Sequence, residues 1–150
     1  MSSYTLRRAQ ETDAVAIKDL VHSVGINPMS LDWRRFIVAV DAQDQVIATG
    51  QIKPHGRDIH ELASIAVVPA QRGEGIARAI IEHLLKESPR PLYLTCRSRL
   101  EPLYEKFGFR SISYEEMPRY YRRISKLAGL LLTAIARMGE GEGLSVMKLQ

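Results

Sequence analysis

Apolar and polar positions run along this chain in two rhythms, and the changes between them predict the elements. Tyr4 to Ala9 reads as a first strand. From Glu11 to Val24 the apolar residues Ala14, Ile17, Leu20, Val21 and Val24 recur at helical spacing, and Gly25 and Asn27-Pro28 stop the pattern. Leu31 to Arg35 fits a short helical turn. Phe36 to Val40 and Val46 to Ile52 read as strands joined by the turn Asp41-Ala42-Gln43-Asp44. Asp58 to Val68 is a long strand, nearly continuously apolar from Leu62 onward, the pattern of a strand covered on both faces. Glu74 to Lys86 predicts a helix whose apolar side is Ile76, Ala79, Ile80, Leu84 and Leu85. Pro91 to Cys96 predicts a buried strand. Arg99 to Phe107 reads as a short helix closed by Gly108 in a left-handed cap, and Phe109 to Tyr114 as a strand. Pro118 to Met138 predicts a long helix or helix pair. A glycine turn through Gly139, Gly141 and Gly143 leads to a last strand, Leu144 to Leu149.

Strands and helices alternate after Asp58, which calls for an α/β layered fold with crossover connections there. The front half looks antiparallel, so the central sheet is expected to be mixed, with helices on both faces. A length of 150 residues suits one domain, 1–150.

Composition narrows the function without choosing it. Apolar residues make up 45% and charged residues 25%, ordinary values for a globular chain. The net charge of +4 suits an anionic ligand but is too small to argue for nucleic acid, and no recognition-helix or RNA-binding signature is present. Cys96 is the single cysteine, so no internal disulfide can form; that is compatible with a reducing cytosol, and a cytoplasmic location is the expectation. Met1 to Gln10 lacks the apolar core of a secretory signal. The longest apolar run, Leu127 to Ala136, is too short to cross a bilayer, which takes about 20 residues. No His, Cys or Asp pair has metal-ligand spacing, so no metal is expected.

The chemically informative stretch is Pro69-Ala70-Gln71-Arg72-Gly73-Glu74-Gly75-Ile76-Ala77, between a strand and a helix. The first amides of a helix lack internal partners and its dipole favours negative charge. Glycines let the backbone approach a phosphate, and Arg72 adds a planar cation. The segment is therefore suited to a pyrophosphate. It lacks the third glycine of a dinucleotide fingerprint, where Arg78 stands, and the Gly-Lys-Ser/Thr of a Walker loop.

Arg72-x-x-Gly75-x-Ala77 after Val67-x-Pro69 resembles the acetyl-CoA loop of the GNAT acetyltransferase superfamily. Leu103-Tyr104-Glu105-Lys106-Phe107-Gly108-Phe109 resembles that family's second characteristic segment. The resemblance covers Tyr4 to Tyr114 and extends to Leu144–Leu149; the helical stretch near 116–138 matches no common family element. It implies a GNAT-like acyl-CoA N-acyltransferase fold and the transfer of an acetyl group from acetyl-CoA to a primary amine by direct attack in a ternary complex. It also implies that pantetheine lies along Glu61–Val68, pairing near Ile65 and Val67, with pyrophosphate on the amides of Arg72, Gly73, Gly75, Ile76 and Ala77. Tyr104 matches the acid that protonates the leaving thiolate.

Glu61 matches a base position used by some members; His60 and His55 are alternatives, as is the bland reading of an exposed strand-end glutamate. His22 and His83 read as incidental helix residues, and Cys96 as core rather than nucleophile. Many members have an asparagine where Arg97 stands. Two rival readings are a CoA-binding regulatory module without turnover and an acyltransferase for a longer acyl-CoA. The acceptor amine is not named by these residues.

The stretch 118–138 repeats Ile124, Leu127, Leu131, Ile135 and Met138 along one helical side. Three homes remain open for that stripe: a wall of the acceptor site, a subunit interface in a homodimer, or a membrane surface.

Overall fold

The computed structural model describes residues 3–136 and 143–150. The chain forms two compact units, Met1–Pro54 with His60–Pro89 and His55–Ile59 with Arg90–Gln150.

In the first unit the strands β1 (Thr5–Arg8), β2 (Phe36–Val40), β3 (Val46–His55) and β4 (Ile59–Val67) lie side by side in chain order. β1 and β2 are antiparallel, with Leu6 opposite Ala39; β2 and β3 are antiparallel, with Val38 opposite Thr49. Helix α1 (Ala14–Ser23) follows a 3-10 turn at Glu11–Asp13, so the regular helix begins later than periodicity suggests. Asp13 explains the delay. Its carboxylate accepts from the Gln10 amide at 2.7 Å and from both Arg7 terminal nitrogens at 2.6 and 3.1 Å, tying β1 to the helix start. Ile17 and Val21 of α1 then pack with Phe36, Val38 and Val40 in one core cluster.

The other face of β3 receives α2 (Ile76–Glu87). A side chain at Gly50 would put its Cβ 2.5 Å from Ile80 Cγ2 and 2.8 Å from Ile65 Cδ1, so helix and sheet approach as closely as they do only because Gly50 has none. Ile76, Ile80, Ile81 and Leu84 are the buried side of α2. Ile81 joins that side; Ala79 and Leu85, expected there, are not buried.

β4 departs from the expectation of a strand covered throughout. Glu61, Leu62, Ser64 and Ala66 are buried, whereas Ala63, Ile65 and Val67 are half-buried. Ser64 sits at φ 59°, in the left-handed region, in the middle of the strand. The alternation of buried and half-buried positions nevertheless runs unbroken from Leu62 to Val67.

In the second unit β7 (Leu144–Leu149) lies between β5 (Leu92–Arg97) and β6 (Arg110–Ser111), antiparallel to both. Leu92 faces Leu149 and Cys96 faces Ser145. β6 is two residues long rather than the expected run from Phe109 to Tyr114. A 3-10 turn at Tyr114–Glu116 takes over, and the Arg122 side chain donates to the Tyr114 and Glu115 carbonyls at 3.1 and 2.7 Å. α3 (Glu101–Glu105) and α4 (Arg119–Ala136) complete the unit.

The anchor of α4 is aromatic. Tyr121 is fully buried with Tyr93, Ile112 and Val146, and Tyr120 and Met117 pack beside them. Leu127, expected on the apolar side, is 68% exposed. Met138, Gly139 and Gly141 lie outside the described residues. Among the described residues no helix is long and apolar enough to cross a membrane.

Candidate active site

The first unit carries the cofactor loop and Glu61. After Val67 the chain makes a 3-10 turn at Pro69–Gln71, and the Arg72 side chain donates from Nε to the Val67 carbonyl at 3.3 Å. Gly73 and Gly75 follow at φ 84° and 79°. An added Cβ at either meets nothing within 4 Å, so the backbone angle, not crowding, selects glycine there. The sequence places the start of α2 at Glu74; it falls at Ile76 because left-handed Gly75 is the residue ahead of the first turn. The Gly75 carbonyl accepts from the Ala79 amide at 3.0 Å, and no side chain caps this terminus. The amides of Ile76, Ala77 and Arg78 are thus first-turn donors without helical partners, on a loop open enough for an anion to reach them.

Ahead of that loop, Ile65 and Val67 are half-buried on β4. Ser64 is held on both of its polar atoms. Its carbonyl accepts from Thr49 Oγ1 at 2.9 Å, and its hydroxyl accepts from Gln51 Nε2 at 2.8 Å. Glu61 is 9% exposed, which removes the reading of an exposed strand-end glutamate. Burial pulls the Lys53 ammonium below the usual lysine range, and the Glu61 carboxylate works against that shift.

Sequence reasoning does not single out Thr49, Gln51 or Lys53. All three are buried. Their spacing, a polar residue at every second position of a strand between apolar ones, is the signal that could have found them.

The second unit carries Tyr104, on α3. Burial, and secondarily the neighbouring Cys96, push the Tyr104 phenol up to about 12. It therefore keeps its proton at neutral pH. The ring packs edge-on to Phe109 with centroids 6.2 Å apart. Gly108, at φ 98°, forms the expected left-handed cap: its amide donates to Glu105 O at 3.0 Å, and that of Phe109 to Tyr104 O at 3.3 Å.

Cys96 is buried on β5 near Met147, with Sγ 3.9 Å from Sδ, and burial together with Glu101 raises its thiol to about 11. A thiol in that state is a poor nucleophile. Ser145 donates a short hydrogen bond to Glu101.

The histidines separate by setting. His55 stacks on Tyr120 with centroids 4.0 Å apart; His60 is half-buried; His22 is exposed; His83 meets Glu87 at 3.3 Å. Among the described residues no three His, Cys, Asp or Glu side chains gather as a metal site would require.

The family model described as "Acetyltransferase (GNAT) domain" matches residues 32–111. This chain belongs to the GNAT acetyltransferase family.

Solved structures bear out the fold, a mixed seven-stranded sheet with helices. N-acetylglutamate synthase from Neisseria gonorrhoeae, complexed with coenzyme A and N-acetyl-glutamate, aligns with TM-score 0.70 at 15% identity over 100% of this chain. The GNAT chain spans only 36% of that enzyme's length. Rv2747 from Mycobacterium tuberculosis, in complex with CoA and NLQ, aligns with TM-score 0.67 at 26% identity, over 97% of this chain and 98% of its own. Escherichia coli ElaA aligns with TM-score 0.67 at 17% identity over 100% of both chains. A search of curated proteins finds no match. The N-acetylglutamate synthase and Rv2747 structures both hold CoA.

Proposed function

We propose that the protein moves an acetyl group from acetyl-CoA to a primary amine by direct attack within a ternary complex. The observation that carries this reading is the pair of left-handed glycines, Gly73 and Gly75, ahead of an uncapped helix start in a GNAT chain. Arg72 and the amides of Gly73, Gly75, Ile76 and Ala77 hold the pyrophosphate. The backbone of β4 near Ile65 and Val67 pairs with the pantetheine amides, and a backbone amide near Ile65 stabilises the oxyanion formed on attack.

Two side chains move the protons. Glu61, a buried carboxylate on β4, takes one from the acceptor's ammonium, directly or through a water, and so frees the neutral amine that attacks the thioester. Tyr104 gives one to the departing thiolate; burial keeps its phenol protonated throughout the working pH range. The small acetyl group is the assigned cargo, and turnover, rather than passive CoA sensing, is the assigned role. Thiol release from acetyl-CoA, coupled to mass detection of an N-acetylated acceptor, tests both. Release without an acetylated amine, or binding without release, rules the reading out.

A further inference from the structure

The polar row on β3 has no part in the proton transfers above. Gln51 is wholly buried, and its Nε2 donates to Ser64 Oγ at 2.8 Å and to Ser30 O at 3.3 Å. A carbonyl only accepts, so the Ser30 bond fixes which end of the amide is nitrogen. Gln51 Oε1 is then a buried acceptor with no hydrogen-bond partner among the described residues. Buried polar atoms in folded proteins are almost always paired, so an orphan is an acceptor that a donor from outside the chain can fill.

Two residues along the same strand, Lys53 is 4% exposed. Its Nζ donates to the Met29 carbonyl at 3.1 Å. An ammonium carries three donors, so this bond leaves capacity for an anion. Lys53 and Gln51 point to one face of β3, under the segment that contributes Met29 and Ser30. Ser30 itself is left-handed, at φ 58°, so the segment is held in a conformation its own residues do not favour. One face of one strand thus offers an uncommitted acceptor and an under-used cation two residues apart, with the buried Glu61 carboxylate acting on that cation.

We propose that this row recognises the acceptor, and that the acceptor is an amino acid: its carboxylate binds Lys53 and its amine donates to Gln51 Oε1. The inference rests on the acetyltransferase reading and adds the substrate class to it. A polyamine or other polycation is disfavoured, because a second cation would face a buried ammonium with little water to screen the repulsion. A plain alkylamine would satisfy Gln51 and leave Lys53 under-bonded.

The test compares protein amino acids with their decarboxylated counterparts as acceptors, for instance leucine with isoamylamine and phenylalanine with phenethylamine, following thiol release from acetyl-CoA. Each pair differs only in the carboxylate. At least one amino acid should exceed its counterpart in kcat/KM by about tenfold or more, the worth of one charged contact. Lys53→Met should erase that preference through KM with kcat little changed, and Lys53→Arg should restore part of it. Circular dichroism checks the fold of each variant; should Lys53→Met not fold, the wild-type pairs decide alone. Amines accepted as well as or better than amino acids overturn the inference while leaving the acetyltransferase reading intact. No turnover with either class overturns that reading instead. Calorimetric titration of amino acids into the CoA-loaded protein then still decides the inference: binding that Lys53→Met abolishes upholds it, and no binding ends it.

Discussion

Gln51 Nε2 donates to Ser64 Oγ at 2.8 Å, and the residue it holds is the left-handed one within β4. With Thr49 gripping the Ser64 carbonyl, the two side chains of β3 secure a conformation that L residues resist by roughly 1–2 kcal/mol.

A specific order of stabilities follows. Ser64→Ala loses the hydroxyl acceptor and keeps the backbone conflict, so it should destabilise by about 1–3 kcal/mol. Ser64→Gly also loses the hydroxyl but relieves the left-handed strain. The glycine variant should therefore unfold at higher denaturant than the alanine variant, the reverse of the usual order inside a strand. Urea unfolding of both measures it; alanine above glycine contradicts the account of Ser64.

The cofactor loop makes the next prediction. Gly75→Glu adds negative charge and forces a side chain onto a residue at φ 79°. Acetyl-CoA binding should fall by about a hundredfold or more, since a like charge replaces open space at the pyrophosphate. Because Cβ at Gly75 meets no neighbour, the fold itself should survive with a modest loss. Calorimetry on the folded variant reads the affinity, and near-normal binding removes this loop from the site.

Much of the fold is legible in the sequence, and the failures have physical causes. Strands Phe36–Val40 and Leu144–Leu149 stand where expected, because each is a compact apolar or alternating run between strong turn residues. The Gly108 cap is legible because glycine closing a helical pattern signals a left-handed residue. Less legible is Ser64. Nothing about a serine in an apolar run announces φ 59°, and the bonds that hold it come from Thr49 and Gln51 on another strand. Helix α4 is legible only in part for a related reason. Leu127 of its leucine repeat is exposed, the side chains of Leu131 and Ile135 lie outside what is described, and the anchor at Tyr121 depends on Tyr93, Ile112 and Val146 elsewhere in the chain. Tyr104 and the Arg72–Ala77 loop emerge through a family resemblance; composition and periodicity alone reach only an anion-binding turn.

Tyr104 gives the sharpest mutational prediction. Tyr104→Phe keeps the packing on Phe109 and deletes the proton that burial preserves. kcat should fall by about a hundredfold or more, as loss of a general acid typically costs, with acetyl-CoA affinity little changed. The wild-type phenol, pushed up to about 12 from the usual 10, should show no loss of its acid form as pH rises to about 10. The sign for stability is the same: a raised folded value supplies stabilisation present below pH 10 and lost as pH climbs toward 12. Unchanged turnover in Tyr104→Phe, with chemistry shown to limit the rate, returns the residue to a packing role.

The most direct measurement is a single incubation of the protein with isotope-labelled acetyl-CoA and a mixed panel of amines and amino acids, read by mass spectrometry. The account predicts one labelled N-acetyl product formed for each CoA thiol released, with no label left on Cys96 or any other residue. Labelled protein in place of labelled acceptor, or CoA bound with no thiol released, contradicts direct transfer to an amine.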